Sequence, residues 1–393
     1  MPWRETGPME ERLGLVMEVL EGRFTVAEAS ARRGVSRKTA YKYLNRYLEE
    51  GVAGLEERSR KPHGSPSATP EAIRTLLVEK KKQHPSWGPK KIVDRLGKRY
   101  RNLTMPAAST AGAILKAAGL VQSRRRIRTL LPPPAWTRER TPADAPNRVW
   151  TIDFKGEFRL GNGTLCYPLT VVDLYSRDPR AIHALRSTQG APVQDVLTRL
   201  FERDGLPEVL RSDCGSPFAS RALGKLSRLS VWWLKLGIRL ERNDPGHPEQ
   251  NGAHERMHRT LKAETTRPPQ FDFAQQQRVF DAFREEYSQE RPHEGIGMRC
   301  PAELYVASAR ALPTELPIVR YPGHYEIRSV RPNGYIKWTG RTVFVSEALA
   351  GEQIGLEEVD AGLWSLYFGS TLLGRFDATA SGLHSRRASV GTP

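Results

Sequence analysis

Cysteine is nearly absent: three in 393 residues, Cys166, Cys214 and Cys300, too far apart for a disulfide framework, with no CxxC pair for zinc. No run approaches the ~18 apolar residues that a membrane helix needs. The segment Met1 to Glu11 is charged and lacks the apolar centre of a signal peptide. These absences argue against the secreted disulfide-rich and membrane classes, and the expectation is a cytoplasmic protein. Acid is also in deficit, with 44 Asp and Glu against 61 Lys and Arg.

That deficit is local. Residues 1–150 hold 30 basic and 15 acidic side chains, so +15 of the +17 lies there, and residues 51–150 alone carry 21 against 7. A one-sided basic block favours a polyanion, most simply the nucleic-acid backbone. At roughly 100–200 residues per domain the length predicts two to four domains.

Glu10 to Leu20 reads as an amphipathic helix with Leu13, Val16, Met17 and Leu20 on one stripe. Thr25-Val26-Ala27-Glu28 is a capping box opening a second helix, which ends at Gly34. Ser36 caps a third helix to about Glu49, whose Ala40, Tyr43, Leu44 and Tyr47 face inward. Arg37, Lys38, Thr39, Lys42 and Arg46 are left outside. A plain three-helix bundle shares the core stripe; the long donors at the start of the third helix favour a DNA-binding helix-turn-helix. Beyond a Gly/Ser/Pro-rich break, three further helices (Pro70 to Gln83, Gly88 to Tyr100, Ser109 to Ala118) read as a second helical DNA-binding unit. Its basic extension is Arg124, Arg125, Arg126 and Arg128. Leu131 to Pro146 holds five prolines and reads as a stiff linker.

From Asn147 the texture changes. Val149 to Phe158 alternates, with Trp150, Ile152 and Phe154 on one face and Asp153 on the other. Leu165 to Asp173 and Asp178 to Leu185 continue a meander, Ala191 to Asp204 is a helix, and Glu208 to Ser212 is a strand running into Asp213. A helix near Arg221 to Trp233, in which Trp232 and Trp233 pack the core, and a strand Gly237 to Glu241 precede Asn251-Gly252-x-x-Glu255. This order predicts a ribonuclease-H-like α/β core with a mixed five-stranded sheet and flanking helices.

Trp150-Thr151-Ile152-Asp153-Phe154, the turn Ser212-Asp213-x-Gly215-x-Pro217-Phe218, and Asn251-Gly252-x-x-Glu255 followed by Arg259-Thr260-Leu261-Lys262 resemble the integrase core of DDE transposases of bacterial insertion sequences. Arg291-Pro292-His293 and Pro301-Ala302-Glu303-Leu304-Tyr305 resemble the end of that core. The resemblance implies a polynucleotidyl transferase that binds the terminal inverted repeats of its element, cleaves their 3′ ends and joins them to target double-stranded DNA. It implies at least a homodimer on DNA, and nucleoid association when bound. Asp153, Asp213 and Glu255 would be the catalytic acids and ligands of two Mg²⁺ ions, with Mn²⁺ as a substitute. Oxygen ligands suit Mg²⁺, and paired ions suit in-line displacement at phosphorus. His258, Arg259 and Lys262 would face DNA beside Glu255. Cys214 departs from the family pattern, where Asn is usual, and the HHCC zinc module of retroviral integrases is absent.

Two ambiguities accompany this reading. Glu249 lies 36 positions after Asp213, a spacing common in the superfamily, whereas Glu255 lies 42 after it. Glu255 is preferred for its local motif, and because Ala253, Met257 and Leu261 would form the core stripe and leave Glu255 outside. Secondly, His254-Glu255-Arg256-Met257-His258 spells HExxH, a zinc-protease signature for which Glu285 or Glu286 would be the third ligand. That reading leaves the basic third, Asp153 and the Asp213 turn unexplained, so no zinc is expected. A DNA-binding regulator with an inactive core is the other alternative.

Leu316 to Ala378 is β-rich, with a hairpin turn at Arg331-Pro332-Asn333-Gly334 and some five short strands, which predicts a small all-β barrel. The expected division is a helix-turn-helix domain at 1–60, a second helical DNA-binding domain at 67–130, a linker at 131–146, the catalytic core at 147–310, the barrel at 315–378 and a disordered tail at 379–393.

Overall fold

The computed structural model describes residues 7–58, 68–121, 140–213, 215–220, 223–243 and 252–377. Arg124, Arg125, Arg126, Arg128, Cys214, Glu249, most of the Pro-rich linker and the tail lie outside the described residues. The chain divides into two compact units, 1–69 and 70–393.

The first unit holds α1 (Pro8–Leu20), α2 (Val26–Arg32) and α3 (Arg37–Glu50), closed by a 3₁₀ turn Gly51–Leu55. The caps form as the sequence requires. Thr25 accepts from the Glu28 amide at 3.3 Å while Glu28 accepts from the Thr25 amide at 2.8 Å, and Ser36 accepts from the Thr39 amide at 3.2 Å. Gly34 ends the turn after α2 at φ +64°. Leu15, Val16, Ala29, Ala40, Tyr43 and Leu55 make the core. The stripe of α1 is turned from the expected one, because Leu15 and Val16 are buried whereas Met17 and Leu20 are exposed.

The second unit begins with α4 (Glu71–Gln83), α5 (Pro89–Arg99, Pro at its first turn) and α6 (Ala108–Ala117) around Trp87, Leu77, Ile92, Leu96 and Leu115. There follow β1 (Val149–Phe154), β2 (Phe158–Arg159), β3 (Leu165–Asp173), β4 (Pro179–Leu185), α7 (Gly190–Asp204), β5 (Val209–Ser212), α8 (Arg228–Lys235), β6 (Arg239–Arg242), α9 (Gly252–Thr265) and α10 (Phe273–Gln289). The strands form one mixed sheet in which β3 pairs antiparallel with β1, β2 and β4, and β1, β5 and β6 run parallel. Six strands are named where five were expected, because β2 carries on the line of β1 along the same edge of β3. Helix α8 starts at Arg228, later than expected, since Gly224 at φ +65° interrupts the helix and Ser227 caps the next.

Alternation along β1 sorts the two faces. Trp150 and Ile152 join Leu169, Val171 and the inner faces of α7 and α8, including Trp233. The opposite face of the sheet packs Cys166, Val172 and Ile182 against Met257 and Leu261 of α9 and Phe280 and Phe283 of α10. Each wholly buried large side chain contributes roughly 1.5–3 kcal/mol, so a sheet covered on both sides is a stiff platform. Thr151 and Asp153 fall on the α9 side.

The C-terminal part is β7 (Glu326–Ser329), β8 (Tyr335–Trp338), β9 (Arg341–Phe344), β10 (Gln353–Asp360), β11 (Leu363–Phe368) and β12 (Thr371–Asp377). Among the described residues the strands do not close into the expected small barrel. The strands make an open four-stranded antiparallel sheet, β12-β11-β10-β7, and a separate β8-β9 hairpin. Arg331 to Gly334 does turn, with the Gly334 amide bonded to the Arg331 carbonyl at 2.8 Å. The strand before it pairs with β10 instead of β8, so the two sides of the turn enter different sheets. Ile336 and Trp338 of the hairpin pack over Ile354, Leu356, Leu366 and Phe368, with Leu226 and, from α8, Val231 in the same core.

Candidate active site

The parallel register pairs Trp150 with Leu210 and Thr151 with Arg211. Continued two residues, it brings Asp153 and Asp213 to the carboxyl ends of neighbouring strands. Asp153 is half-buried and Asp213 exposed. The Gly215 amide donates to Asp213 Oδ1 at 3.1 Å, and a Cβ at position 215 would press on Asp213 Oδ2, so glycine there leaves the carboxylate its place.

Glu255 stands exposed in the first turn of α9. The carboxyl of Asp153 is pushed up to about 7, first by burial and next by the charge of Asp213, with Glu255 raising it further. A backbone hydrogen bond and Lys155 act against the shift. Asp153 therefore feels the charge of both other acids that the sequence singled out. Among the described residues no group of three His, Cys, Asp or Glu side chains is already gathered at metal-holding distance. Asp153, Asp213 and Glu255 are all carboxylates, and oxygen donors of this kind suit Mg²⁺ or Mn²⁺. Glu249 cannot be compared, lying outside the described residues.

The inner stripe of α9 differs from the expected one. His254, Met257, His258, Leu261 and Thr265 are buried, and Ala253 is only half-buried. His258 therefore does not face DNA. His254 Nδ1 lies 2.7 Å from Thr151 Oγ1 and its Nε2 lies 2.6 Å from Thr170 Oγ1. His258 Nε2 is also 2.6 Å from Thr170 Oγ1, and its Nδ1 is 3.9 Å from Asp153 Oδ2. Burial drives the two imidazoles down to about 3 and about 2, which keeps both neutral. With three of their four ring nitrogens engaged and the fourth turned toward Asp153, this pair is not a zinc-protease site. Helical periodicity held the signal for these inward histidines, since 254, 257, 258 and 261 repeat at i, i+3, i+4 and i+7. The partners Thr151 and Thr170 were missed because only strand register reveals them.

Arg259 and Lys262 are exposed, four and seven positions beyond Glu255, and so continue its face of the helix. In the first unit Arg37, Lys38 and Lys42 are exposed on α3, while Thr39 and Arg46 are half-buried. Lys42 lies 4.9 Å and Arg46 6.0 Å from the centre of the Tyr43 ring.

Models of the integrase core domain match residues 143–248 and 236–301, spanning Asp153, Asp213 and Glu255. The chain carries an integrase core. A helix-turn-helix domain matches residues 11–63 and a homeodomain-like domain 39–115. A protein of insertion element IS407 from Burkholderia multivorans is 32% identical over 168 residues, 42% of this chain; the match spans only 58% of that relative's length. A protein of insertion element IS476 from Xanthomonas euvesicatoria is 26% identical over 305 residues, 77% of this chain and 84% of the relative. The HTLV-2 integrase catalytic core domain, solved in complex with magnesium, aligns over 41% of this chain and 98% of its own at 13% identity, with a TM-score of 0.33. The integrase core thus sits behind two helical units, in a chain related to insertion-element proteins.

Proposed function

We propose that the chain is a DDE transposase of an insertion element, a polynucleotidyl transferase that cleaves the element's 3′ ends and joins them to target DNA. The observation that carries the reading is the parallel register that brings Asp153 and Asp213 to the ends of neighbouring strands, with the Asp153 carboxyl raised to about 7 by burial, by Asp213 and by Glu255 of α9. A half-buried carboxyl kept under such electrostatic strain suits a site that takes divalent cations.

In this reading Asp153, Asp213 and Glu255 would together hold two Mg²⁺ ions, with Mn²⁺ as a substitute. Bound there, the ions supply Lewis-acid polarisation of the phosphodiester and a more acidic water. Arg259 and Lys262 bind phosphates along the face of α9 that Glu255 begins. The α3 side chains Arg37, Lys38, Thr39, Lys42 and Arg46, with Arg124, Arg125, Arg126 and Arg128, bind the terminal repeats. In the first step water attacks phosphorus, the 3′ oxygen leaves with a proton as a free hydroxyl, and the water oxygen stays on the 5′ phosphate. In the second that hydroxyl loses its proton, attacks a target phosphodiester and releases a new 3′ hydroxyl, so one bond forms for each that breaks. Two ends must be joined together, so the working form is at least a dimer on DNA.

The test is cleavage of labelled duplexes taken from the DNA flanking this gene, with Mg²⁺, Mn²⁺ or EDTA, for the wild type, Asp153→Asn, Glu249→Gln and Glu255→Gln. The expected result is metal-dependent nicking and joining that survives Glu249→Gln and is lost in the other two. Loss with Glu249→Gln but not Glu255→Gln would move the third ligand. Specific binding without cleavage under either metal would replace the reading with a DNA-binding regulator.

A further inference from the structure

The pair of histidines in α9 is left over once the zinc reading is set aside, and its surroundings are unusually complete. Asp153 of β1 stands directly opposite Thr170 of β3, and Thr151 opposite Val172. Cross-strand neighbours share a face, so Thr151, Asp153 and Thr170 all present to α9. Thr170 is wholly buried, as is His254, and His258 is nearly so. Thr170 Oγ1 lies 3.0 Å from the Asp153 carbonyl oxygen and 2.6 Å from Nε2 of both imidazoles.

A hydroxyl has one proton and two lone pairs, and here it has three neighbours. Thr170 donates to the Asp153 carbonyl, which accepts only. Both imidazoles then donate through Nε2–H, and Thr151 gives its one proton to His254 Nδ1 at 2.7 Å in preference to the Val172 carbonyl at 3.4 Å. Every polar atom of Thr170 is thereby used, and one side chain ties the backbone of Asp153 to two successive turns of α9. His254 immediately precedes Glu255.

We propose that Thr170, acting through His254 and His258, is the positioning residue that locks α9 against β1 and so sets the separation of Asp153 and Glu255. This rests on the reading of those two acids as metal ligands. HExxH is then a strut, with the glutamate facing out and both histidines anchored beneath it. Groups behind the ligands of a metal site commonly change metal affinity or activity by about 10- to 100-fold when removed.

The test uses the full chain with Thr170→Val, which keeps shape and loses the hydroxyl, and Thr170→Ser, which keeps the hydroxyl. Three readings are taken: the Mn²⁺ concentration that half-saturates the protein, from the signal of free Mn²⁺ in electron paramagnetic resonance; kcat and KM for cleavage; and amide exchange of residues 252–265. Thr170→Val is expected to raise half-saturation about 10-fold, to lower kcat about 10- to 100-fold with KM for DNA unchanged, and to speed exchange in α9 alone. Thr170→Ser is expected to stay within about threefold of wild type. Wild-type half-saturation and wild-type exchange in Thr170→Val would overturn the proposal. So would faster exchange across the whole chain in both variants, which marks a merely structural role. If the wild type neither cleaves DNA nor binds Mn²⁺, the transposase reading fails by itself. Exchange in α9 then decides the lock, which stands if Thr170→Val loosens 252–265 alone and falls if it does not.

Discussion

Trp87 donates its indole N–H to Glu286 Oε1 at 3.0 Å across 199 residues of chain. The bond fastens the α4–α6 helices to the end of α10. His84, stacked on Trp87 with ring centres 4.1 Å apart, sets Nδ1 3.3 Å from the same oxygen. Lys90 reaches Glu294 at 3.2 Å, and Lys98 donates to the Met298 carbonyl at 2.9 Å. A basic helical unit thus meets an acidic strip on the integrase core, and both halves belong to one compact unit.

Replacing Trp87 by Phe keeps an aromatic in the core and removes the donor. Trp87 is wholly buried, and hydrogen bonds to charged acceptors are worth about 1.5–3 kcal/mol. Trp87→Phe is expected to lower stability by about 1–3 kcal/mol in urea unfolding. An unchanged midpoint would show that the indole N–H holds nothing.

Behind this contact Arg291, 4% exposed, places Nη2 2.8 Å from Glu264 and 2.9 Å from Glu286. Arg291→Met would leave two carboxylates facing each other without their cation. Breaking a buried pair from one side costs about 3–5 kcal/mol; because both glutamates keep some water contact, the expected loss is nearer ~3. Arg291→Lys retains the charge but not the two-pronged fork, and should fall between. A loss below ~1 kcal/mol in Arg291→Met would mean that solvent already screens the network.

How much of this was legible depends on range along the chain. The caps at Thr25 and Ser36, the alternation that puts Asp153 opposite to Trp150 and Ile152, and the acid-bearing motifs are all local, and local rules reach them. The inward turn of His258 needed Thr170, 88 positions away, to make an imidazole acceptable in a core. Strand β7 went unseen because Glu326-Ile327-Arg328-Ser329 shows little alternation and its partner β10 starts only at Gln353. The barrel failed for the same reason, since a turn signal at Arg331 to Gly334 does not say which strands will pair. Met17 and Leu20 fit a helical stripe, but periodicity alone did not fix which side of it the other helices would cover.

His293 supplies a test in acid. It packs 4.6 Å from the Tyr287 ring, and its imidazole is pushed down to about 3, first by burial and then by the charges of Lys91 and Arg291. Its folded value lies below the unfolded one, near 6.5. The associated stability is therefore present above pH 6.5 and is lost as pH falls toward 3, by up to about 1.4 kcal/mol per unit. His293→Gln removes this proton site. Its stability relative to wild type should improve by about 1 kcal/mol between pH 7.5 and 5.5, read from urea midpoints. A constant difference at the two values would mean that His293 takes up its proton in the folded protein.

Asp153 works in the opposite direction, and metal should reverse it. A carboxyl raised from 3.8 to about 7 makes the folded state hold its proton where the unfolded chain has already released it. The penalty is absent below pH 3.8, grows as pH climbs, and is complete above 7. Removing the charge removes both the burial cost and the repulsion from Asp213 and Glu255. Asp153→Asn is therefore expected to be more stable than wild type by about 1–3 kcal/mol at pH 8 in EDTA, and to lose most of that advantage at pH 4. In saturating Mg²⁺ the order should invert, since the wild type would gain binding energy and the variant lacks the negative charge and one of the two carboxylate oxygens that would hold the ion. Thermal melts with and without Mg²⁺ would decide the matter. A wild type that melts at one temperature in EDTA and in Mg²⁺, with Asp153→Asn no more stable than it in either, would show that these carboxylates neither strain the fold nor hold a cation.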